Sequence, residues 1–442
     1  MTPAASSKDA APSGAARRPR VLVIAEAANP EWVSVPLIGW SLTEALRVVA
    51  DVHLVTQVRN REAILRKGWV EGTDFTAIDT EAIAAPAWKL SQVLRMGESR
   101  GWTVVQAVNS LTYPWFERKV WKQFGPALKR GDYDLVHRIT PLSPAATGSL
   151  AKQCRKAGVP FVLGPLNGGV PWPKGFEAEQ KQEGEWLSRF RGLLKVFPGR
   201  KAMLEACSAI LFASRFTRRD IPDALADRCI YLPENAIDPT RFFREATPEP
   251  GVLKACFIGR FVPLKGLGML IEAARPLLDA GQMELHLVGD GPLTSALKDQ
   301  AKGLPGITFH GWLKHEAVQD VAVRCHVLAF PSIREFGGGA VLEGMALGLA
   351  PLVIDYGGPA DLVTREVGIK VPLTTREDTT LALRLALESL AADPGQTARM
   401  GQAAKQRVAN LFTWPRRAEQ IATIYDWVLG HRPARPEPIK NS

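Results

Sequence analysis

The chain has 442 residues, 46% of them hydrophobic and 23% charged, a balance typical of globular proteins and unlike that of disordered or fibrous chains. No apolar run approaches the roughly 20 residues that a membrane-spanning helix needs, and the apolar stretch after the arginine-rich N-terminus is too short for a signal peptide. Five dispersed cysteines without a Cys-x-x-Cys pair predict reduced thiols and a cytoplasmic location. The net charge is +10, and residues 1–250 hold 34 Lys and Arg against 26 Asp and Glu, which predicts an anionic partner or surface.

Short apolar runs alternate with helical patterns between two polar tails, residues 1–19 and 432–442, which we expect to be disordered. Continuous apolar runs separated by helices are typical of parallel sheets covered by helices on both faces, so the pattern predicts an α/β fold. The predicted strands are 20–25, 52–56, 134–139, 161–164, 209–214 and 230–233 in the first half, and 253–259, 284–289, 307–311, 327–331, 351–355 and 368–372 in the second.

The two sets of strands predict two doubly wound, Rossmann-like domains, residues 20–245 and 246–412, divided at the Pro- and Gly-rich segment 246–251. Thr413 is placed to cap a further helix that reaches about residue 431. Ligands bind at the C-terminal ends of the strands in such sheets, so we expect the site in the cleft between the domains.

The segment after the predicted strand 327–331 places Glu335 and Glu343 on either side of three glycines, Gly337–Gly339. Glycines let backbone N–H groups approach an anion, and a helix that begins near Ala340 adds roughly half a positive charge, so a diphosphate fits there. Each carboxylate can accept two hydrogen bonds from the vicinal diol of a ribose or a hexose. This chemistry indicates a nucleotide sugar. The alternative is an ordinary strand–turn–helix in which Glu343 is an acid favoured by the helix dipole.

Polar and glycine residues also follow the other strands of the second half. Arg260 and Lys265 come after its first strand and can clamp a diphosphate, although two solvated surface charges are the alternative. Glycine turns follow at 289–292 and 357–358, and Trp312 is placed where an aromatic ring can contact a base.

The order Gly-Arg-x4-Lys-Gly, Gly-Asp-Gly-Pro, His-Gly-Trp, Glu-x7-Glu-Gly-Met-Ala and Gly-Gly resembles the family 4 retaining glycosyltransferases, over residues 20–430 and most strongly over 253–375. The resemblance implies the GT-B fold, in which two Rossmann-like domains face a cleft and a C-terminal helix crosses back to the first domain. It also implies that the enzyme moves a hexose from a nucleoside diphosphate sugar to a glycan or lipid-linked acceptor, in bacterial polysaccharide or glycolipid synthesis.

The resemblance further implies roles for single residues. Glu335 would be the catalytic residue at the transferred sugar, and Glu343 would hold the ribose hydroxyls. Arg260, Lys265 and the backbone of Gly337–Gly339 would bind the diphosphate, so neither a metal nor another cofactor is expected. The family often has Glu-Gly-Phe-Gly where this chain has Glu-Phe-Gly-Gly, so the aromatic residue lies one position earlier here.

The first half offers candidates for the acceptor or the sugar. Gly39 stands where the family usually has a Gly-Gly pair, so the backbone can approach a ligand closely at one residue only. Asn167, Gly168 and Gly169 follow a strand and face the cleft. His137 lies inside a predicted strand, which favours a hydrogen-bonded core histidine over a site residue.

Two segments are both basic and aromatic. Residues 85–130 carry eight Lys and Arg against two Glu, with Trp and Phe interleaved, and residues 186–197 place apolar side chains on one helix face. Such helices suit an anionic membrane, which predicts peripheral binding at its inner face. In the alternative, the apolar faces pack on the sheet and the charges face water.

Rival functions have weaker support. The Asp-x-Asp of residues 132–134 precedes its strand and lies at the wrong end for a cleft metal, and no P-loop is present. Nucleic acid is not expected as a partner. The alternatives that remain are a sugar-nucleotide epimerase or a phosphorylase of the same fold, and a non-catalytic nucleotide-sugar-binding protein.

Overall fold

The computed structural model describes residues 17–82, 102–183, 199–437 and 439, and for residues 102–111 and 315 we consider the backbone alone. The strands are β1 Arg20–Ala25, β2 Asp51–Gln57, β3 Phe75–Ile78, β4 Leu135–Thr140, β5 Phe161–Leu166, β6 Ala209–Phe212, β7 Cys229–Tyr231, β8 Leu253–Ile258, β9 Met283–Val288, β10 Ile307–Gly311, β11 Val327–Phe330, β12 Ala350–Ile354 and β13 Ile369–Val371. The helices are α1 Val35–Leu46, α2 Arg61–Arg66, α3 Trp102–Arg130, α4 Leu150–Lys156, α5 Glu177–Gln182, α6 Arg200–Ala206, α7 Arg215–Arg218, α8 Leu267–Asp279, α9 Thr294–Gln300, α10 His315–Ala322, α11 Gly339–Leu347, α12 Gly358–Leu362, α13 Arg376–Ala392, α14 Pro394–Leu411 and α15 Trp414–Val428.

The strands form two parallel sheets, as the apolar runs predict. The first sheet has the order β3-β2-β1-β4-β5-β6-β7, and the second has the order β10-β9-β8-β11-β12-β13. The central strands read as unbroken apolar runs because helices cover both faces: all of Val21–Ala25 and Val327–Phe330 is buried. The prediction of two doubly wound domains is confirmed.

The strand order reverses between β1 and β4 in the first sheet and between β8 and β11 in the second. At such a switch point, consecutive crossover helices leave on opposite faces and a crevice opens at the carboxyl ends of the strands. The loops after β8 and β11 therefore meet at the crevice of the second domain.

The last helix, α15, returns to the first domain. Thr413 caps it by accepting a hydrogen bond from the backbone N–H of Arg416. Its buried Ile421, Ile424 and Tyr425 pack in the same hydrophobic cluster as the strands β1 and β4. The helix therefore ties the end of the chain to the first sheet.

His137 on β4 is a core histidine, as the sequence favours. Its ring nitrogens lie 2.6 Å from the Tyr425 hydroxyl and 2.7 Å from the Gly164 carbonyl oxygen. Burial lowers the pKa of His137 to about 4, so the ring is neutral at physiological pH. One nitrogen of the neutral ring donates and the other accepts, which satisfies both.

Direct contacts join the two domains across the cleft. Arg334 of the second domain donates to the Val170 carbonyl oxygen of the first at 3.0 Å. Arg215 of the first domain pairs with Asp355 at 2.8 Å, and its backbone N–H donates to Asp361 at 2.9 Å. These contacts bring the loops of the two sheets face to face across the cleft.

The basic, aromatic segment 85–130 lies in part on α3. Phe116 and Phe124 are buried in the core, whereas Trp115 is 46% exposed and carries the Arg118 guanidinium 4.8 Å from its ring centre. Of the helices that the structure describes, none combines the length and apolarity needed to cross a membrane. The predicted amphipathic helix 186–197 lies outside the described residues.

Candidate active site

The loop after β11 is held in place by the loop after β8. The backbone N–H of Ile333 donates to the Leu264 carbonyl oxygen at 3.0 Å. Gly266 has φ +67°, and a Cβ at this position would overlap the carbonyl oxygen of Pro331. Only glycine therefore allows the short 3-10 turn Pro263–Lys265 to pack this tightly against the start of the next loop.

This packing brings Lys265 and Glu335 together. Their side chains form an ion pair and are 16% and 21% exposed, so the pair is partly withdrawn from water. The Lys265 ammonium also lies 4.6 Å from the centre of the Phe330 ring, within the range of a cation–π contact. The sequence predicts both residues as site residues but does not predict that they pair with each other.

The glycine turn after β12 fixes the backbone of Glu335 from the other side. Gly357 has φ +73°, and a Cβ there would overlap the Glu335 carbonyl oxygen. The N–H of Gly358 donates to the same oxygen at 3.1 Å. The Gly-Gly pair thus has a structural role, since it positions the main chain of the predicted catalytic residue.

The aromatic residue that departs from the family pattern, Phe336, has a structural partner. The buried Arg334 guanidinium lies 5.1 Å from the centre of the Phe336 ring and 5.1 Å from that of Trp172. Trp172 belongs to the first domain, and so the shifted Phe336 contributes to the contact between the domains.

The helix α11 begins at Gly339, with Gly338 as its N-cap in the left-handed conformation at φ +72°. The N–H groups of a first helical turn have no acceptor within the helix, and they carry the positive end of the helix dipole. The predicted anion site therefore has its backbone donors at the crevice. Glu343 lies in the same helix and is partly buried; burial raises its pKa to about 7, and the nearby Arg241 opposes this shift.

Two predicted site residues are open to solvent. Arg260 is exposed at the carboxyl end of β8 and forms no ion pair with the described residues, so it is a free cation beside the crevice. Trp312 follows β10 and is 71% exposed. The turn 289–292 has a packing role: a Cβ on Gly291 would lie 2.5 Å from the Phe261 carbonyl oxygen.

The first-domain candidates divide into two groups. Asn167, Gly168 and Gly169 lie on the loop that faces the second domain, and the Gly168 carbonyl oxygen accepts from Thr217 at 2.9 Å. Gly39 lies within α1, where a Cβ would overlap the Ala27 carbonyl oxygen of its own domain. Gly39 therefore allows the backbone of α1 to lie close to the loop after β1.

Sequence reasoning missed Glu234, which follows β7 and is 3% exposed. Its Oε1 accepts from the Asn167 side chain at 2.5 Å, and its carboxyl lies against Gly337 of the second domain. A Pro-Glu-Asn sequence directly after an apolar strand is a signal for this position, because polar residues at strand ends line the cleft.

No group of three or more His, Cys, Asp or Glu side chains among the described residues is arranged to hold a metal ion. The Asp-x-Asp of residues 132–134 lies before β4, at the sheet end opposite the cleft, where Asp134 accepts from the backbone of Arg20 at 2.6 Å. This hydrogen bond gives Asp134 of the motif a structural role in holding the start of β1.

The second domain is similar in sequence to known glycosyl transferases. Residues 253–393 match the family model of the glycosyl transferases group 1. The alpha-maltose-1-phosphate synthase of Mycolicibacterium smegmatis is 27% identical over 252 residues, which cover 51% of this chain and 64% of the relative. A GDP-mannose-dependent phosphatidylinositol dimannoside mannosyltransferase of Mycobacterium tuberculosis is 30% identical over 182 residues, or 40% and 45% of the two chains. The alignments thus span less than two thirds of the relatives' own length.

Solved structures resemble nearly the whole length of the chain. Sucrose-phosphate synthase from Thermosynechococcus elongatus has a TM-score of 0.58 at 18% identity and covers 94% of this chain and all of its own. HepE from Anabaena, solved in complex with UDP, has a TM-score of 0.58 at 15% identity and covers 92% and 99%. The chain therefore has the GT-B fold, and its second domain matches the glycosyl transferases group 1 family.

Proposed function

We propose that this protein is a retaining glycosyltransferase that moves a hexose from a nucleoside diphosphate sugar to a glycan or lipid-linked acceptor. The observation that carries the proposal is the Lys265–Glu335 ion pair beside the N-terminus of α11, at the switch point of the second sheet. The names of the relatives support the donor class: one is named for GDP-mannose, and a structural neighbour was solved with UDP.

The leaving diphosphate carries the negative charge that develops in the transition state. Arg260 is a free cation at the crevice, and Lys265 can exchange its carboxylate partner for a phosphate oxygen. The N–H groups of Gly338 and Gly339 add donors that are already oriented by the helix. Such preorganised charges stabilise the leaving group without a reorganisation cost, and this set requires no metal ion.

Glu335 acts on the sugar. When a phosphate binds Lys265, the Glu335 carboxylate loses its partner and becomes available to orient the hexose or to stabilise an oxocarbenium-like anomeric carbon. The bond between the anomeric carbon and the diphosphate oxygen breaks, and a bond to the acceptor oxygen forms on the same face. The proton of the acceptor hydroxyl leaves with the diphosphate.

The nucleoside lies further along the second sheet. Glu343 binds the ribose diol, and Trp312 offers an exposed ring to the base at the end of β10. The first-domain loop Asn167–Gly169 faces the same cleft and contacts the acceptor or the sugar.

We further propose that the acceptor is presented at an anionic membrane, in bacterial polysaccharide or glycolipid synthesis. The outer face of α3 supports this proposal, because Trp115, Arg118, Lys122 and Lys129 are all exposed at helical spacing. An exposed tryptophan among cations is the composition of an interfacial anchor.

The test is an assay of nucleoside diphosphate release from UDP-glucose and from GDP-mannose, with and without a bacterial lipid extract as acceptor. We expect release that rises with the acceptor and a glycosylated product with the anomeric configuration of the donor. Transfer of the sugar to inorganic phosphate, with a sugar 1-phosphate as product, would indicate a phosphorylase, and an isomerised donor without release would indicate an epimerase. Donor binding with no turnover under any condition would favour a non-catalytic binder and contradict the proposal.

A further inference from the structure

One buried carboxyl joins three parts of the cleft. Glu234 lies in the connection between the domains, directly after β7, and is 3% exposed. Its Oε1 accepts two amide hydrogen bonds, from Asn167 at 2.5 Å and from Asn235 at 2.7 Å. Asn167 belongs to the loop of the first domain that faces the cleft, so this bond links that loop to the connection.

The loop of the second domain rests on the same carboxyl. A Cβ built on Gly337 would overlap Oε1 of Glu234 and lie close to the Asn235 amide. The φ of Gly337 is not positive, so the backbone conformation at this position allows alanine. Only the contacts of a Cβ with Glu234 and Asn235 oppose the substitution. Gly337 lies two residues after Glu335, and its lack of a side chain leaves room for the Glu234 carboxyl.

The second oxygen of the carboxyl is unusual. Oε2 of Glu234 is buried without a hydrogen-bond partner among the described residues. Because Oε1 already accepts from two N–H groups, a proton on the carboxyl resides on Oε2. Burial raises the pKa of Glu234 to about 7. Hydrogen bonds from its own backbone N–H and from the Asn167 side chain, and the charge of Arg417 on α15, oppose this shift, whereas the charge of Glu335 adds to it.

We propose that Glu234 is a positioning residue for the transfer reaction, a role that rests on the function proposed above. Its carboxyl sets the separation between Asn167 and the loop Glu335–Gly339, and thereby holds Glu335 at its place against the donor sugar. The neutral form fits this position best, because a charged Oε2 would be unsolvated and would repel Glu335.

The first test separates the carboxyl from its charge. Glu234→Gln keeps an oxygen acceptor for both amides and mimics the neutral acid, so we expect kcat within threefold of wild type. The step near pH 7 that we expect in the wild-type profile of kcat against pH should be absent from this variant. Glu234→Ala removes the acceptor, and we expect kcat to fall at least tenfold with a smaller change in KM for the donor. A residue with a merely structural role would lower the melting temperature and leave the pH profile unchanged.

The second test uses the contact with Gly337. Gly337→Ala should lower kcat at least tenfold because its Cβ displaces the carboxyl. The double variant Glu234→Ala/Gly337→Ala should be no slower than either single variant, since Glu234→Ala already removes the carboxyl that the new Cβ at position 337 would displace. Gly395→Ala is the matched control: its Cβ would make only 3.4 Å contacts in α14, and we expect wild-type kcat.

The assay distinguishes the two proposals. If the wild-type protein releases no nucleoside diphosphate from UDP-glucose or GDP-mannose, the proposed function fails and the positioning role fails with it. If the wild type turns over and Glu234→Ala keeps its kcat, only the positioning role is overturned. Additive losses in the double variant would also contradict it.

Discussion

At the scale of single residues, the site depends on one ion pair between neighbouring loops. Lys265 and Glu335 neutralise each other, so neither of them is an unpaired charge. A diphosphate competes for Lys265 with Glu335, and this competition couples donor binding to the release of the carboxylate. The pairing follows from the packing of two loops 70 positions apart in the chain, which the sequence does not reveal.

Lys265→Ala should lower kcat at least tenfold, a barrier increase of about 1.4 kcal/mol, because the leaving diphosphate loses a cation in the transition state. The measurement is steady-state release of nucleoside diphosphate. Glu272→Gln, which breaks the exposed pair with Arg376, is the control and should leave kcat within twofold. Near-normal turnover of Lys265→Ala would remove that residue from the diphosphate site.

The buried carboxyls predict how stability depends on pH. Glu234 and Glu343 have pKa values raised to about 7 in the folded protein, against an ordinary value of 4.5. Between these values the folded state binds more protons than the unfolded state, so the free energy of unfolding falls as pH rises through this window. His137, with its lowered pKa, has the opposite effect below about 6.5.

Urea unfolding of wild type and Glu234→Gln at several pH values from 5 to 8 isolates one of these groups, because His137 is common to both proteins. We expect the stability of the wild type relative to the variant to decline with a slope of up to about 1.4 kcal/mol per pH unit. If the difference in unfolding free energy between wild type and Glu234→Gln is constant from pH 5 to 8, Glu234 is ionised over the whole range.

At the scale of elements, much of the architecture could be predicted from apolar runs. Buried parallel strands are apolar on both faces, which is why the sequence predicts twelve of the thirteen described strands. The strand β3 was missed because it has only four residues, two of them partly exposed, at the edge of the sheet. The start of α11 was predicted within one residue, since three glycines mark it.

The candidate site was less predictable where it depends on contacts between distant segments. Arg260, Lys265, Glu335 and Glu343 follow strands in a recognisable order, so their neighbourhood could be predicted. Glu234 could not be assigned, because its burial arises only when Asn167 and Gly337 of different domains close around it.

Gly266→Ala tests the packing that aligns the two loops of the ion pair. It combines a left-handed backbone, φ +67°, with overlap on a backbone oxygen, so we expect a loss of about 3 kcal/mol in unfolding free energy. Gly281→Ala is the control, since Gly281 has φ +66° and open space around it, and should cost about 1 kcal/mol. Equal losses in the two variants would show that the contact with Pro331 contributes nothing.

At the scale of the whole molecule, polar contacts, aromatic contacts, buried apolar packing and α15 join the two domains. Arg334, Arg215 and Glu234 each reach across the cleft, while α15 anchors the second domain to the first sheet. The candidate site is therefore lined by loops of both domains.

The exposed basic face of α3 predicts that the protein binds anionic membranes in a salt-dependent way. Vesicles with a third of anionic phospholipid should bind the protein at 50 mM salt and release most of it at 500 mM, because the attraction to the α3 face is screened. Trp115→Ala should weaken the binding severalfold, and neutral vesicles are the control. Binding that is absent at low salt would contradict the proposal.

If Glu335 and its surroundings transfer a sugar, the substitution Glu335→Gln should abolish most of the turnover. The measurement is the rate of nucleoside diphosphate release from the preferred donor in the presence of acceptor, with donor affinity determined separately by calorimetry. We predict a loss of at least tenfold in kcat while the variant still folds and binds the donor. A variant that turns over at the wild-type rate would contradict the account.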